Sequence, residues 1–172
     1  PATILTDVHK LLPGHYLSVT SNGITAARYW KLTAQDKSGL SVSSIRQTIR
    51  TLLTRAVEKR MQSDVPLGAF LSGGLDSSII AALMSGLSPR RVKTFSSGFH
   101  EKKFSELSYA RTSAKLYKTD HHEAYVKPDI RAILDDYIWT LDQPFSDSSS
   151  VATYYLARMA RQSVTVALNG DG

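Results

Sequence analysis

The residues best suited to chemistry lie together in LSGGLDSS, residues 71–78 of this 172-residue chain. Two adjacent glycines, Gly73 and Gly74, let the backbone curl tightly and approach a ligand with no Cβ in the way. Ser72, Ser77 and Ser78 add hydroxyl donors. A helix starting just after the glycines would present N–H groups with no intrahelical partner, and its dipole favours an anion. Together these features make a cradle for a phosphate group. Asp76 is the odd member, because a carboxylate repels phosphate. It fits in two ways: it holds Mg²⁺ that bridges phosphates, or it caps the helix. The loop is not a Walker A loop, which requires a Lys before its final Ser or Thr. Nor is it a nucleophile elbow, because Phe70 stands where that motif has glycine. Taken alone, the loop also admits a second reading, a Gly-rich turn capped by Asp or Ser.

Such a cradle needs a strand before it and a helix after it. Residues 66–71, PLGAFL, are a short apolar run that fits a buried strand. Residues 76–87 read as a helix with Ile79, Ile80, Leu83 and Leu87 on one stripe. Further strands are expected at 91–95, 119–126 and 164–168, the last a β-branched run suited to the centre of a sheet. A helix capped by Ser41 or Ser43 is expected to bury one face, formed by Val42, Ile45, Ile49, Leu52, Leu53, Ala56 and Val57. Residues 105–117 read as a helix with a capping-box look at Ser105 and Ser108. Another follows with Pro128 in its first turn and Ile130, Ile133, Leu134, Tyr137, Ile138 and Leu141 on its apolar face. A last one covers residues 150–162, with Val151, Tyr154, Tyr155 and Met159 as its stripe.

This alternation implies an α/β fold, a parallel sheet with helices on both faces. Ligands in such folds bind beyond the carboxyl ends of the strands. That places candidates at Ser72, at Ser96-Ser97-Gly98 and at Asn169-Gly170. Ahead of the sheet, residues 15–30 read as a hairpin turning at Ser21-Asn22-Gly23, and residues 33–39 as a polar linker.

The net charge of +6 is compatible with an anionic partner. Its carriers are scattered, however, with only short clusters at Arg90, Arg91 and Lys93 and at Lys102 and Lys103. That pattern reads as solvated surface rather than a nucleic-acid patch. The absence of cysteine excludes a disulfide scaffold, a Cys-based zinc site and a thiol nucleophile. It is compatible with a reducing cytoplasm. The longest apolar run, residues 79–84, is far too short for a membrane span, and no basic-then-apolar leader opens the chain. His121-His122-Glu123 has the look of a metal cluster, but adjacent side chains on a strand point to opposite faces. Asp135 and Asp136, neighbours on a helix, likewise do not converge. Tyr154 and Tyr155 read as core and rim. The chain opens on Pro1 and stops at Asn169-Gly170-Asp171-Gly172, directly after an apolar run, so it reads as a piece of a longer protein.

Ser-Gly-Gly-x-Asp-Ser is also the signature of the PP-loop, or N-type, ATP pyrophosphatases. LSGGLDSS followed by TFSSGF resembles, more narrowly, the synthetase domain of the glutamine-hydrolysing asparagine synthetases. FSELSYARTSAKLYKTDHHE, residues 104–123, resembles that family's acidic-start helix and the strand after it. DQPFSDSSSVATYYLARMAR, residues 142–161, and VTVALNGDG, residues 164–172, resemble two later segments. KLLPGHYLSV and RYW resemble the last strands of the family's glutaminase domain. The likeness thus covers nearly the whole chain in order.

The resemblance implies a Rossmann-like, adenine nucleotide alpha hydrolase-like fold, with residues 1–32 a glutaminase remnant and 33–172 the start of the synthetase domain. It implies ATP and Mg²⁺, aspartate and glutamine-derived ammonia as small-molecule substrates, a cytoplasmic setting, no membrane and no nucleic acid. A homodimer is compatible with it. The aspartate side chain is adenylated, pyrophosphate leaves, and ammonia displaces AMP. By similarity Ser72, Gly73, Gly74, Ser77 and Ser78 hold the pyrophosphate portion of ATP, Leu75 belongs to the same cofactor-binding loop, and Asp76 binds Mg²⁺. Leu71 contacts the nucleotide. Ser97 offers backbone to the adenine, although a plain strand end explains it as well. Asn169 and Gly170 match a Ser-Gly pair near ATP, with Asn169 a departure. Asp171 matches an acidic position at the reacting centre, and its alternative is an ordinary turn. Asp147, Ser148 and Ser149 face the acceptor or simply cap a helix. The family's N-terminal Cys nucleophile, its further Asp-Glu pair and its later Lys are absent from these residues, so the chain alone is expected not to make asparagine. Another PP-loop ligase, tRNA-modifying or β-lactam-forming, and a nucleotide-binding module without chemistry are the competing readings.

Overall fold

The computed structural model describes residues 2–33, 39–98, 105–127, 129–147 and 149–171. It has two units, Pro1–Ser41 and Val42–Gly172. In the first, β1 (His15–Thr20) and β2 (Gly23–Arg28) form an antiparallel hairpin with Val19 opposite Ile24. The Thr20 hydroxyl accepts the Asn22 N–H at 3.2 Å and so closes the turn. Most of the expected linker, residues 34–38, lies outside the described residues.

The second unit is the α/β fold expected. Its helices and strands alternate: α1 (Val42–Arg60), β3 (Leu67–Phe70), α2 (Leu75–Leu87), β4 (Lys93–Gly98), α3 (Leu107–Tyr117) and β5 (Asp120–Tyr125). Then come α4 (Ile130–Leu141), α5 (Ser149–Ala160) and β6 (Val166–Leu168). The sheet order is β5-β4-β3-β6 and every pairing is parallel. Strand alternation sends Ala69 and Leu71 to one face, where they pack with Val57 of α1, Met84 and Ala81 of α2 and Ala110 and Ala114 of α3. On the other face Phe95 packs with Ala160 and Val164, joined by Phe70, Leu156 and Met159. Helices therefore cover both faces. Among the described residues, no helix is long and apolar enough to cross a membrane.

Several boundaries differ from the expectation. Among the described residues the β-branched run pairs on one side only, with β3, and so stands at the edge rather than the centre of the sheet. It pairs only from Val166, which is 40% exposed, while Val164 is spent in the core before the strand begins. The apolar face expected to be buried on α1 is buried only at its end. Val57 is covered, whereas Val42, Ile45, Ile49 and Leu52 stay exposed. Periodicity marks a face as apolar but does not say what lies against it. On α3 the N-cap is Glu106, with no side-chain cap bond, so Ser105 and Ser108 form no capping box. On α4 the cap is Asp129, whose carboxylate accepts the N–H groups of Arg131 and Ala132. Pro128 and the Lys102-Lys103 cluster lie outside the described residues.

The two histidines of β5 do part company. The His121 Nδ1 stands 2.9 Å from the Thr94 hydroxyl on one face. The His122 ring stacks on Phe95 on the other, with centroids 5.3 Å apart.

Candidate functional site

β3 ends at Phe70, and the chain turns into α2 within four residues. The turn depends on Gly73, whose φ is +86° and at which a Cβ would stand 2.5 Å from the Ala110 nitrogen of α3. Gly74 is the N-cap residue of α2 and no side chain caps the helix. Asp76 therefore does not act as the cap. It sits exposed in the first turn of α2. The loop is instead tied by serines. The Ser72 hydroxyl accepts the Gly74 N–H at 3.2 Å. The buried Ser77 hydroxyl accepts the Ser72 N–H at 3.2 Å and lies 2.9 Å from the Ser72 hydroxyl. Its proton can go to Ser72 or to the Gly74 carbonyl at 3.3 Å.

Two further residues of the loop have other surroundings. The Ser78 hydroxyl meets that of Ser113 on α3 at 3.0 Å, and its N–H is held by the Gly74 carbonyl at 3.1 Å. Leu75 is 76% exposed.

The segment after β6 closes over the loop. A Cβ on Gly170 would stand 2.5 Å from the Ser77 nitrogen and 2.9 Å from the Asp76 carbonyl carbon, so backbone meets backbone here. The Asn169 side-chain oxygen accepts the Gly170 N–H at 2.7 Å, and its amide donates to the Asp171 carboxylate. These bonds hold Asn169 and Asp171 as one turn.

Two hollows flank this turn. One, of about 400 Å³, gathers Leu71, Ser72, Ser77, Ser97, Asn169 and Asp171. The other, of about 650 Å³, holds Asp76 and Gly170 and shares Asn169 and Asp171. The carboxylates of Asp76 and Asp171, with the Asn169 amide oxygen, form a set of hard oxygen donors, which is what Mg²⁺ prefers. Among the described residues, no group of three or more His, Cys, Asp or Glu converges on one point, so any cation there relies on phosphate or water for its remaining ligands.

Of the other walls of the first hollow, Ser96 belongs to a strand end expected to carry a site, whereas Glu106 and Thr153 of α5 were not foreseen. Ser149 lines it as well, whereas Asp147 caps the start of α5, accepting the Ser149 N–H at 2.9 Å. That bond holds the Asp147 carboxyl below the usual carboxylate range. Ser148 lies outside the described residues.

The asparagine synthase family model matches residues 48–172. A putative glutamine-hydrolysing asparagine synthetase 2 of Methanocaldococcus jannaschii is 46% identical over 125 residues, 72% of this chain and 24% of that protein. Glutamine-hydrolysing asparagine synthetase 1 of Bacillus subtilis is 32% identical over 174 residues, 100% of this chain and 27% of that protein. The amidase chyE of Penicillium rubens is 31% identical over 192 residues, 99% of this chain and 28% of that protein. The chain thus spans about a quarter of the length of these relatives. Among solved structures, an NH3-dependent NAD synthetase from Campylobacter jejuni aligns with TM-score 0.49 and 16% identity, over 73% of this chain and 56% of that one.

Proposed function

The chain belongs to the asparagine synthase family, and from that footing we propose that it supplies the ATP-binding part of an amide-forming synthetase. The observation that carries this reading is the hollow at the carboxyl ends of β3, β4 and β6. Leu71, Ser72, Ser77, Ser97, Asn169 and Asp171 come to it from three separate segments of sequence.

In this reading the loop from Ser72 through Asp76, with Ser77, takes the phosphates, and Leu71 and Ser97 bound the nucleoside. Ser78 contributes by tying α2 to α3. Asp76, aided by Asp171, would hold Mg²⁺, which when bound neutralises phosphate charge. The substrate is the side-chain carboxylate of aspartate. Its oxygen attacks the α-phosphorus of ATP, the bond to pyrophosphate breaks, and an acyl-adenylate forms. Ammonia derived from glutamine then attacks the acyl carbon, AMP leaves, and the nitrogen loses a proton to give the amide. Asn169 and Asp171 sit where backbone donors and a carboxylate can order those groups. Residues 1–32 would be the tail of a glutaminase domain, and 33–172 the opening of the synthetase domain. ATP, aspartate and glutamine as substrates suit a cytoplasmic enzyme.

Two measurements test this. Calorimetric titration of the chain with ATP and Mg²⁺ should give saturable one-to-one binding, and its absence overturns the reading. For the whole protein, pyrophosphate release should depend on aspartate. Release driven instead by another amino acid or by tRNA would assign a different acceptor.

A further inference from the structure

The floor of the hollow is made where β3 and β4 part. Their parallel ladder pairs Gly68 with Lys93, Ala69 with Thr94 and Phe70 with Phe95. One more rung follows, from the Leu71 N–H to the Phe95 carbonyl at 2.9 Å. A parallel ladder would next join the Ser97 N–H to the Leu71 carbonyl. Among the described residues that bond is not made. The Leu71 carbonyl accepts instead from the Ser96 hydroxyl.

Ser96 is 3% exposed and lines the same hollow as Ser72 and Ser97. A buried hydroxyl is costly unless it is bonded, and an alanine would serve the packing of a strand equally well. The equivalent hydroxyl two residues earlier on the same face, that of Thr94, turns to Thr119 at 2.8 Å and to His121, away from the hollow. Ser96 alone spends its proton on the residue that begins the glycine loop.

We propose that Ser96 is a positioning residue for the nucleotide: its hydroxyl takes the Leu71 carbonyl, ends the β3–β4 ladder one rung early, and keeps the Ser97 N–H as a donor at the rim of the hollow. Without that hydroxyl, the Leu71 carbonyl and the Ser97 N–H have each other as the nearest partners. The ladder then closes by a rung and the Ser97 N–H is lost from the rim. The proposal rests on the reading of this hollow as an ATP site.

The test compares the wild-type chain with Ser96→Ala and the hydroxyl-retaining Ser96→Thr. Calorimetry gives the affinity for ATP and for inorganic pyrophosphate, and amide hydrogen exchange by NMR reports on Ser97. In Ser96→Ala the ATP affinity should fall on the order of tenfold, the cost of one misplaced hydrogen bond. Pyrophosphate, which lacks the nucleoside, should bind nearly as before. The Ser97 amide should exchange about tenfold more slowly as it enters the ladder. Ser96→Thr should restore both values. Wild-type binding of ATP with an unchanged affinity in Ser96→Ala overturns this proposal and leaves the ATP reading standing. So does a Ser97 amide that exchanges alike in both proteins. Failure of the wild-type chain to bind ATP overturns the two together.

Discussion

The hydroxyls of Ser72 and Ser77 face each other at 2.9 Å across the glycine loop, and the Ser72 N–H also donates to the Ser77 oxygen. Ser72 lies two residues past the end of β3 and Ser77 in the first turn of α2, so this pair fixes the width of the cradle. Ser77 is the buried partner and carries the loop's internal bonds, while Ser72 is exposed to an incoming ligand. Ser77→Ala should therefore cost stability of about 1–2 kcal/mol, from unmet donors in the loop. Ser72→Ala should cost less stability but weaken ATP about tenfold. Urea unfolding and calorimetry on the two variants separate these outcomes. Equal behaviour of the pair in both assays would refute the division of labour.

Gly73 and Gly170 are predicted to fail for different reasons. At Gly73 both the positive φ and the backbone of α3 oppose a side chain, so Gly73→Ala should lose about 2 kcal/mol or more of stability. At Gly170 the conflict is with Ser77 and Asp76 backbone atoms only. There the short loop after β6 can lift away. Gly170→Ala should leave the unfolding midpoint close to that of the wild type while abolishing detectable ATP binding. A midpoint drop in Gly170→Ala as large as that in Gly73→Ala would count against this distinction.

These glycines also show how far the sequence could be read. LSGGLDSS is contiguous, and its turn, its helix start and its cluster of hydroxyls follow from local chemistry. The alternation of strands and helices likewise fixed which ends of the strands would carry a site. What escaped depends on distant segments meeting. Ser96 stands at an expected strand end, but its partner, the Leu71 carbonyl 25 residues earlier, is not written in the local sequence. Ser78 looks like a ligand group in the motif, yet Ser113 takes its hydroxyl from 35 residues away. The exposed apolar face of α1 and the edge position of β6 escaped for the same reason. Apolar pattern records a preference for burial and not the identity of the neighbour.

Asp76 offers a charge test. It lies beside Asn169, Gly170 and Asp171 in the second hollow, and it does not cap α2. If it serves a cation, ATP should bind the wild-type chain more tightly with Mg²⁺ than with EDTA. Asp76→Asn should erase most of that difference, and without Mg²⁺ it should bind ATP as well as the wild type or better, because one repulsive charge is gone. Loss of ATP binding in Asp76→Asn under both conditions would make Asp76 a structural residue instead.

The last prediction concerns pH and lies on β5, away from the cradle. Burial among Thr94 and the strand backbone pushes the His121 imidazole below its ordinary value, and the nearby Glu123 only partly offsets this. Folded His121 therefore binds a proton less readily than unfolded His121. The unfolded chain gains protons first as pH drops below about 6.5. The stability that His121 contributes is complete above that value and is lost as pH falls through its lower folded value. Glu123 acts in the same direction at more acidic pH. Its carboxylate accepts three bonds from Arg111, at 2.8, 3.1 and 2.7 Å, which hold it below the usual carboxylate range. Its contribution is present above the usual Glu value and is lost as acid protonates it in the folded state. Two steps are expected in a plot of urea midpoint against pH, the first beginning near pH ~6.5 and the second below about 4.5. His121→Asn should remove the first step and keep the second, whereas Glu123→Gln should keep the first and only shrink the second, to which the lowered Asp120 and Asp147 also contribute. A first step that persists in His121→Asn would place it on another group.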